Sequence, residues 1–199
     1  MIEKIAVGTA LVLGFAADAW YCSQIMLGTI SPALATWLIF AVAATVSLVS
    51  YLTDNEKEKP FIANVANRFV VMVVWVVVLF VAFSPKSDIH LHNFDIGCFV
   101  VVAFILVMWA MTHSAVMANL FIQLVMVAGY APTLFRIFHQ HRNTETFVTW
   151  GMNFAVAVLF LVPSIRHRDR LAMVYAGRAT VCVATILAVM AYFQFIGPR

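Results

Sequence analysis

Long apolar runs broken by short polar stretches dominate the pattern along the chain. Seven runs approach the length that crosses a bilayer as a helix: about 4–25, 33–52, 66–84, 93–111, 115–138, 146–164 and 171–195. Between them lie breakers and charges: Ser31-Pro32, Asp54 to Pro60, Ser84-Pro85-Lys86, Arg136 to Glu145, and Arg166 to Arg170. Strands at an open sheet edge would leave backbone groups unpaired in lipid, and these runs are too long and too continuously apolar for barrel strands. The expected class is therefore an all-α integral membrane protein with seven transmembrane helices. Ser31-Pro32 and Thr144-x-Thr146 suit helix starts. The first run has the look of a signal peptide, with Lys4 before it and Ala17-Asp18-Ala19 as a small-x-small site. The apolar stretch continues through Trp20 to Leu27, however, so it is read as a retained first helix.

Composition sharpens this reading. The chain is 64% hydrophobic and only 11% charged, far below the roughly 25% of soluble domains. A scattered net charge of +3 argues against nucleic-acid binding. Cys22, Cys98 and Cys182 are odd in number and widely spaced, so neither a disulfide framework nor a metal motif follows.

The chain also repeats itself. Gly14-Phe15-Ala16 matches Gly129-Tyr130-Ala131, and Thr36-Trp37 matches Thr149-Trp150. Phe40 to Ala43 matches Phe154 to Ala157, and Ala66-Asn67-Arg68 matches Ala176-Gly177-Arg178. The offsets are 115, 113, 114 and 110 residues, a drift that small loop changes explain. A three-helix unit ends on the opposite side of the membrane from its start, and one added crossing restores the orientation. Two parallel repeats joined by a linker helix follow: residues 1–84 as a first triple-helix bundle, 85–113 as the linker, and 114–199 as a second bundle. This plan predicts a pseudo-two-fold axis along the membrane normal and a cavity between the bundles.

The 3+1+3 plan, with Gly129-Tyr130-Ala131-Pro132, a basic loop and Thr149-Trp150, resembles the PQ-loop and SWEET transporter superfamily. The resemblance implies a transporter of sugars, amino acids or vitamins that alternates access around a central site; one relative is instead a sorting receptor. It also implies a hinge at Pro132, and tryptophans on helices two and six that flank the substrate. The chain departs from the pattern in both copies: the Pro-Gln pair is Pro132-Thr133 in the second and Ala17-Asp18 in the first. One of the two hinge prolines is thus absent. The asparagines of the sugar transporters on helices three and seven are not evident either; Arg68 and Arg178 lie near the starts of those helices.

Ionisable groups inside a membrane are costly and point by default to function. Asp18 lies about 14 residues into the first helix, about 21 Å at 1.5 Å per residue. It is either a proton-binding group or the partner of an arginine. Arg68 and Arg178, at matching repeat positions, either grip a carboxylate or phosphate from two sides or snorkel to the interface. Trp37 and Trp150 are either substrate walls or members of the interfacial aromatic belt. Asn153 shares a helix face with Trp150 and is read as substrate-binding. Asn119 and Gln123 are read as interhelical polar contacts.

The histidines His90, His92, His139 and His141 sit in loops on one membrane face at loose spacing, and no metal or other cofactor is expected. A retinal protein needs a lysine in the last helix, whereas the lysines are Lys4, Lys57, Lys59 and Lys86. No hydrolase motif appears and no enzyme is expected. Lys4, Lys57, Lys59, Arg68, Arg166, Arg168 and Arg170 lie on the N-terminal face, which the positive-inside rule puts in the cytoplasm. The expected function is alternating-access transport of a small polar or anionic solute, with proton linkage open through Asp18. The alternative is a receptor or assembly subunit of the same fold without a transport cycle. The expected partners are a small-molecule substrate and the lipid bilayer, with self-association left open.

Overall fold

The computed structural model describes all residues except 1, 54–60, 85–90, 113–114, 167, 169 and 198–199. Among the described residues the chain is all-helical: α1 (Ile2–Leu27), α2 (Leu34–Thr53), α3 (Phe61–Phe83), α4 (Asn93–Met111), α5 (Ala115–Gln140), α6 (Phe147–Arg166) and α7 (Arg170–Ala191). A π-helical turn, Tyr192–Ile196, continues α7 and closes where the Gly197 amide donates to the Tyr192 carbonyl. Each apolar run of the sequence is therefore a helix. Five stretches are long and apolar enough to cross a membrane: Ile5–Leu27, Asn93–Met111, Leu120–Gln140, Phe147–Arg166 and Ala172–Ile196. The apolar parts of α2 and α3, Leu34–Val49 and Val70–Phe83, are shorter. The lipid-like exterior is plain on α4, where Val100, Phe104 and Met111 are 64–69% exposed and share one helix face.

Contacts gather the residues into two compact units. The first comprises residues 1–32, 84–88 and 133–199, and the second 33–83 and 89–132. This grouping follows packing instead of chain order, and it differs from the division at 84 and 113 expected from the repeat. The boundary falls within α5, between Pro132 and Thr133.

In the first unit α6 packs against α1 and α7. The α1 face turned inward carries Ala6, Ala10, Ala17, Tyr21 and Ile25, and its small residues let helices approach closely without a hydrophobic drive from lipid. Gly28 ends α1 in the left-handed region at φ 70. The Gly28 amide donates to Ile25 and the Thr29 amide to Gln24, the paired bonds that close a helix on a left-handed glycine. The chain then turns through Ser31-Pro32 into α2, as the sequence suggests.

In the second unit α2 packs against α3 and α4. Ile39, Ala43, Val102 and Val125 form its centre. Trp75 Nε1 donates to Thr45 Oγ1, whose own hydroxyl donates back to the Ala41 carbonyl. The Phe40 ring meets Trp37 and Tyr130 edge-on. It also lies where a side chain at 129 would go: a Cβ there would stand 2.5 Å from the Phe40 ring. Gly129 thus permits the close approach of α5 to α2, whereas a Cβ at its sequence match Gly14 would meet open space.

Gly129→Ala is expected to lower stability by about 1–3 kcal/mol through overpacking, with Phe40→Leu restoring part of the loss. Gly14→Ala should stay within about 0.5 kcal/mol of the parent. Unfolding of the three variants and the parent in mixed micelles reads both, and equal losses at the two glycines would contradict the packing described.

Candidate functional site

The buried polar residues concentrate at one place. Thr133, Arg136, Thr144, Glu145 and Thr149 are all buried, and all lie at the end of α5, the start of α6 or the loop between. The sequence places the charged stretch Arg136 to Glu145 around the junction of the fifth and sixth apolar runs. In the structure α5 runs to Gln140, close to the expected end at 138, and both Arg136 (4% exposed) and Glu145 (5%) are buried.

Arg136 acts as a clasp. Its Nη1 donates to the Ser31 carbonyl and the Ser31 hydroxyl, each at 3.3 Å, and to the Pro32 carbonyl at 3.0 Å. The Ser31 amide in turn donates to the Thr144 carbonyl at 3.1 Å. The loop after α1 is therefore tied to both ends of the α5–α6 connection. The same end of the unit gathers Ser84, whose hydroxyl donates to the Ile25 carbonyl at 3.4 Å, and Gln194, which accepts from Asn143 Nδ2 at 3.5 Å.

Glu145 sits behind this clasp. Its backbone amide donates to Asn143 Oδ1 at 3.0 Å, an Asx-type turn that fixes the approach to α6. Its carboxyl oxygen Oε2 accepts from Tyr21 Oη at 2.8 Å and from Trp150 Nε1 at 3.1 Å. Helical geometry delivers both donors: Tyr21 lies on the buried face of α1, and Trp150 lies one turn into α6. Thr149 adds a long bond, 3.4 Å, from its hydroxyl to the Ala17 carbonyl of α1. Oε1 of Glu145 and Oγ1 of Thr144 are buried with no hydrogen-bond partner. Burial pushes the Glu145 carboxyl up from 4.5 to about 7, against the opposing pull of Trp150, Tyr21 and the nearby Arg136 guanidinium.

The residues singled out from sequence fall into both units. Trp150 is buried and bonded to Glu145, and Asn153 is half-buried one turn further along α6. Asp18 is half-buried on α1, beside Ala17 and one turn before Tyr21. Arg178 is half-buried on α7, its guanidinium 5.2 Å from the centre of the Tyr175 ring. These four belong to the first unit. Trp37 is buried in the second unit, where Pro132 is buried within the continuous α5 and Arg68 is exposed on α3. Both tryptophans are thus interior residues and not members of an exposed belt. Gln123 is buried in α5, whereas the side chain of Asn119 lies outside the described residues.

His90 also lies outside the described residues. The His92 amide donates to Asp95 at the start of α4, His139 stacks on Phe135, and His141 adopts a left-handed φ of 50 at the end of α5. Among the described residues no group of three or more metal-binding side chains is placed to hold an ion.

Sequence reasoning missed Glu145, Tyr21 and Arg136. A signal was present for the first: Glu145 is the lone acid between Pro132 and Arg166. Repeat matching could not flag it, because the corresponding position of the first copy falls near Pro32. Compared with known proteins, the chain matches no family model and no curated protein.

An acid whose carboxyl is raised in the folded state binds its proton more tightly there than when unfolded. Its contribution is fully present below about pH 4.5 and is lost as pH rises to about 7. Over that window the wild type should lose on the order of 3 kcal/mol of stability, and Glu145→Gln should flatten the decline. Denaturant titrations in detergent across the window check this; an unchanged slope in the Gln variant would exclude Glu145 as its source.

Proposed function

We propose that this chain is a multi-pass membrane transporter that moves a small polar or anionic solute by alternating access. One observation carries the reading: a polar seam between α1 and α6 inside otherwise apolar helices. Tyr21 on α1 and Trp150 in the first turn of α6 both bond to Glu145 in the connection before α6, Thr149 bonds to Ala17 of α1, and Asp18 and Asn153 lie one turn further along the same two helices. A membrane protein held together only by packing has no need of such groups, and those that persist at membrane depth are expensive. A seam of donors, acceptors and an aromatic wall is what a small polar ligand requires. The division of α5 between two contact units at Pro132 supports a hinge there, since proline removes one backbone donor from the helix ladder.

The repeat and the resemblance to the SWEET plan support the same reading. The rival, a receptor or assembly subunit without a transport cycle, is favoured by Ala17 standing where the first-copy hinge proline would be.

Thermal unfolding of the detergent-solubilised protein against neutral sugars, amino acids, organic anions and vitamins tests the proposal. A solute at 100 times its dissociation constant should add about 2.7 kcal/mol. Trp150→Phe and Asn153→Ala should reduce that gain for any ligand of the seam. Absence of stabilisation by every solute would count against transport and for the rival.

A further inference from the structure

Both protein donors that reach Glu145 address one oxygen. Tyr21 Oη and Trp150 Nε1 donate to Oε2, while Oε1 is buried and receives no hydrogen bond. An ionised carboxylate in a buried place calls for donors on both oxygens, because each carries a share of the charge. A neutral carboxylic acid differs: its carbonyl oxygen accepts, and its hydroxyl oxygen carries the proton. The pairing at Oε2 is that of a carbonyl oxygen, which suits the neutral acid, and it leaves Oε1 as a hydroxyl whose proton has no protein acceptor and is free to leave. Thr144 Oγ1, on the preceding residue, is likewise buried without a hydrogen-bond partner.

We propose that Oε1 of Glu145 is a proton-binding site, that its proton is the one exchanged during transport, and that the clasped arrangement described above is its proton-loaded state. This rests on the transport reading. The acid is met by Tyr21 from α1, by Trp150 from α6 and by the field of the Arg136 guanidinium from α5, while Asn143 of the loop accepts from its backbone amide. Arg136 favours the charged form through its field, but its Nη1 is committed to Ser31 and Pro32. Loading and release involve one bond. The Oε1–H bond breaks, the proton passes to water, and the electron pair stays on the carboxylate. The resulting anion has two donors on one oxygen and none on the other, so it draws water towards Oε1. The closure adjacent to the acid in the chain is the Ser31–Thr144 backbone bond, which ties the loop after α1 to the residue preceding the acid. Release of the proton therefore favours separation of the two loops at this end of the unit, and binding favours their closure.

Infrared difference spectroscopy on the full chain, titrated from about pH 5 to about pH 9, reads the carbonyl band of a protonated carboxylic acid directly. The wild type should show one such band disappearing near neutrality, and Glu145→Gln should lack it. Tyr21→Phe removes a donor to the charged form and should move the midpoint upward, which keeps the test valid even where the Gln variant folds poorly. No band titrating above about pH 6, or a band indifferent to both substitutions, overturns the site. A second arm uses proteoliposomes with an internal pH dye and added glucose, alanine, succinate or thiamine. Solute entry accompanied by proton movement in the wild type, with the proton movement lost in Glu145→Gln, supports the exchange. Solute entry without proton movement overturns the exchange and leaves the transport reading standing. Entry of none of the four probes, in protein whose band titrates as expected, separates a failure of transport from the proton site and overturns the exchange role.

Discussion

The first unit depends on how a carboxyl group can be kept out of water. Glu145 is buried at the junction of α5 and α6, and the group that makes this tolerable belongs to α1: the Tyr21 hydroxyl, 2.8 Å away and 124 positions earlier in sequence. An unpaired carboxylate there would be too costly to keep ionised, so it must be neutral, hydrogen-bonded, or both. Tyr21 and Trp150 supply the hydrogen bonds, and burial supplies the neutrality. Once α1 and α6 are set by that contact, the neighbouring polar groups have fixed partners. Thr149 reaches the Ala17 carbonyl, Ser31 meets Thr144, and Arg136 collects the carbonyls of Ser31 and Pro32. The long-range cohesion of the unit is thus partly polar, which fits a chain whose helices gain nothing from excluding lipid.

Helix positions were legible in the sequence because a bilayer-length apolar run has few alternatives. The start of α2 after Ser31-Pro32 was legible too, since proline carries a backbone preference that acts locally. The end of α5 was legible to within two residues, at 138 against Gln140, although His141 provides a left-handed stop without a glycine to announce it. The site was harder to read. Whether Glu145 is solvated or buried depends on Tyr21, and nothing within a local window relates the two. Trp150 was singled out for a substrate role, and its neighbourhood held an acid that local reading had placed only at the end of a charged loop.

The matched segments show how far sequence likeness constrains environment. Thr36-Trp37 and Thr149-Trp150 are buried alike, as their likeness suggests. Gly14 and Gly129 are not alike: one has open space beside it and the other a phenylalanine ring, so the same triplet does different physical work. Trp150 has Glu145 one turn before it as an acceptor, whereas the stretch before Trp37 holds Pro32. A chemical function at Glu145 would therefore belong to one copy only.

The interaction between Tyr21 and Glu145 can be measured by itself. A double-mutant cycle with Tyr21→Phe and Glu145→Leu, which remove the donor and the acceptor, read as unfolding free energy in detergent above pH 8, isolates their coupling from the packing each contributes. With the acid ionised, a hydrogen bond to a buried charge predicts a favourable coupling of about 1.5–3 kcal/mol, shrinking towards about 1 kcal/mol near pH 5 as the acid becomes neutral. A coupling indistinguishable from zero at both pH values would contradict the contact on which this description of the unit depends.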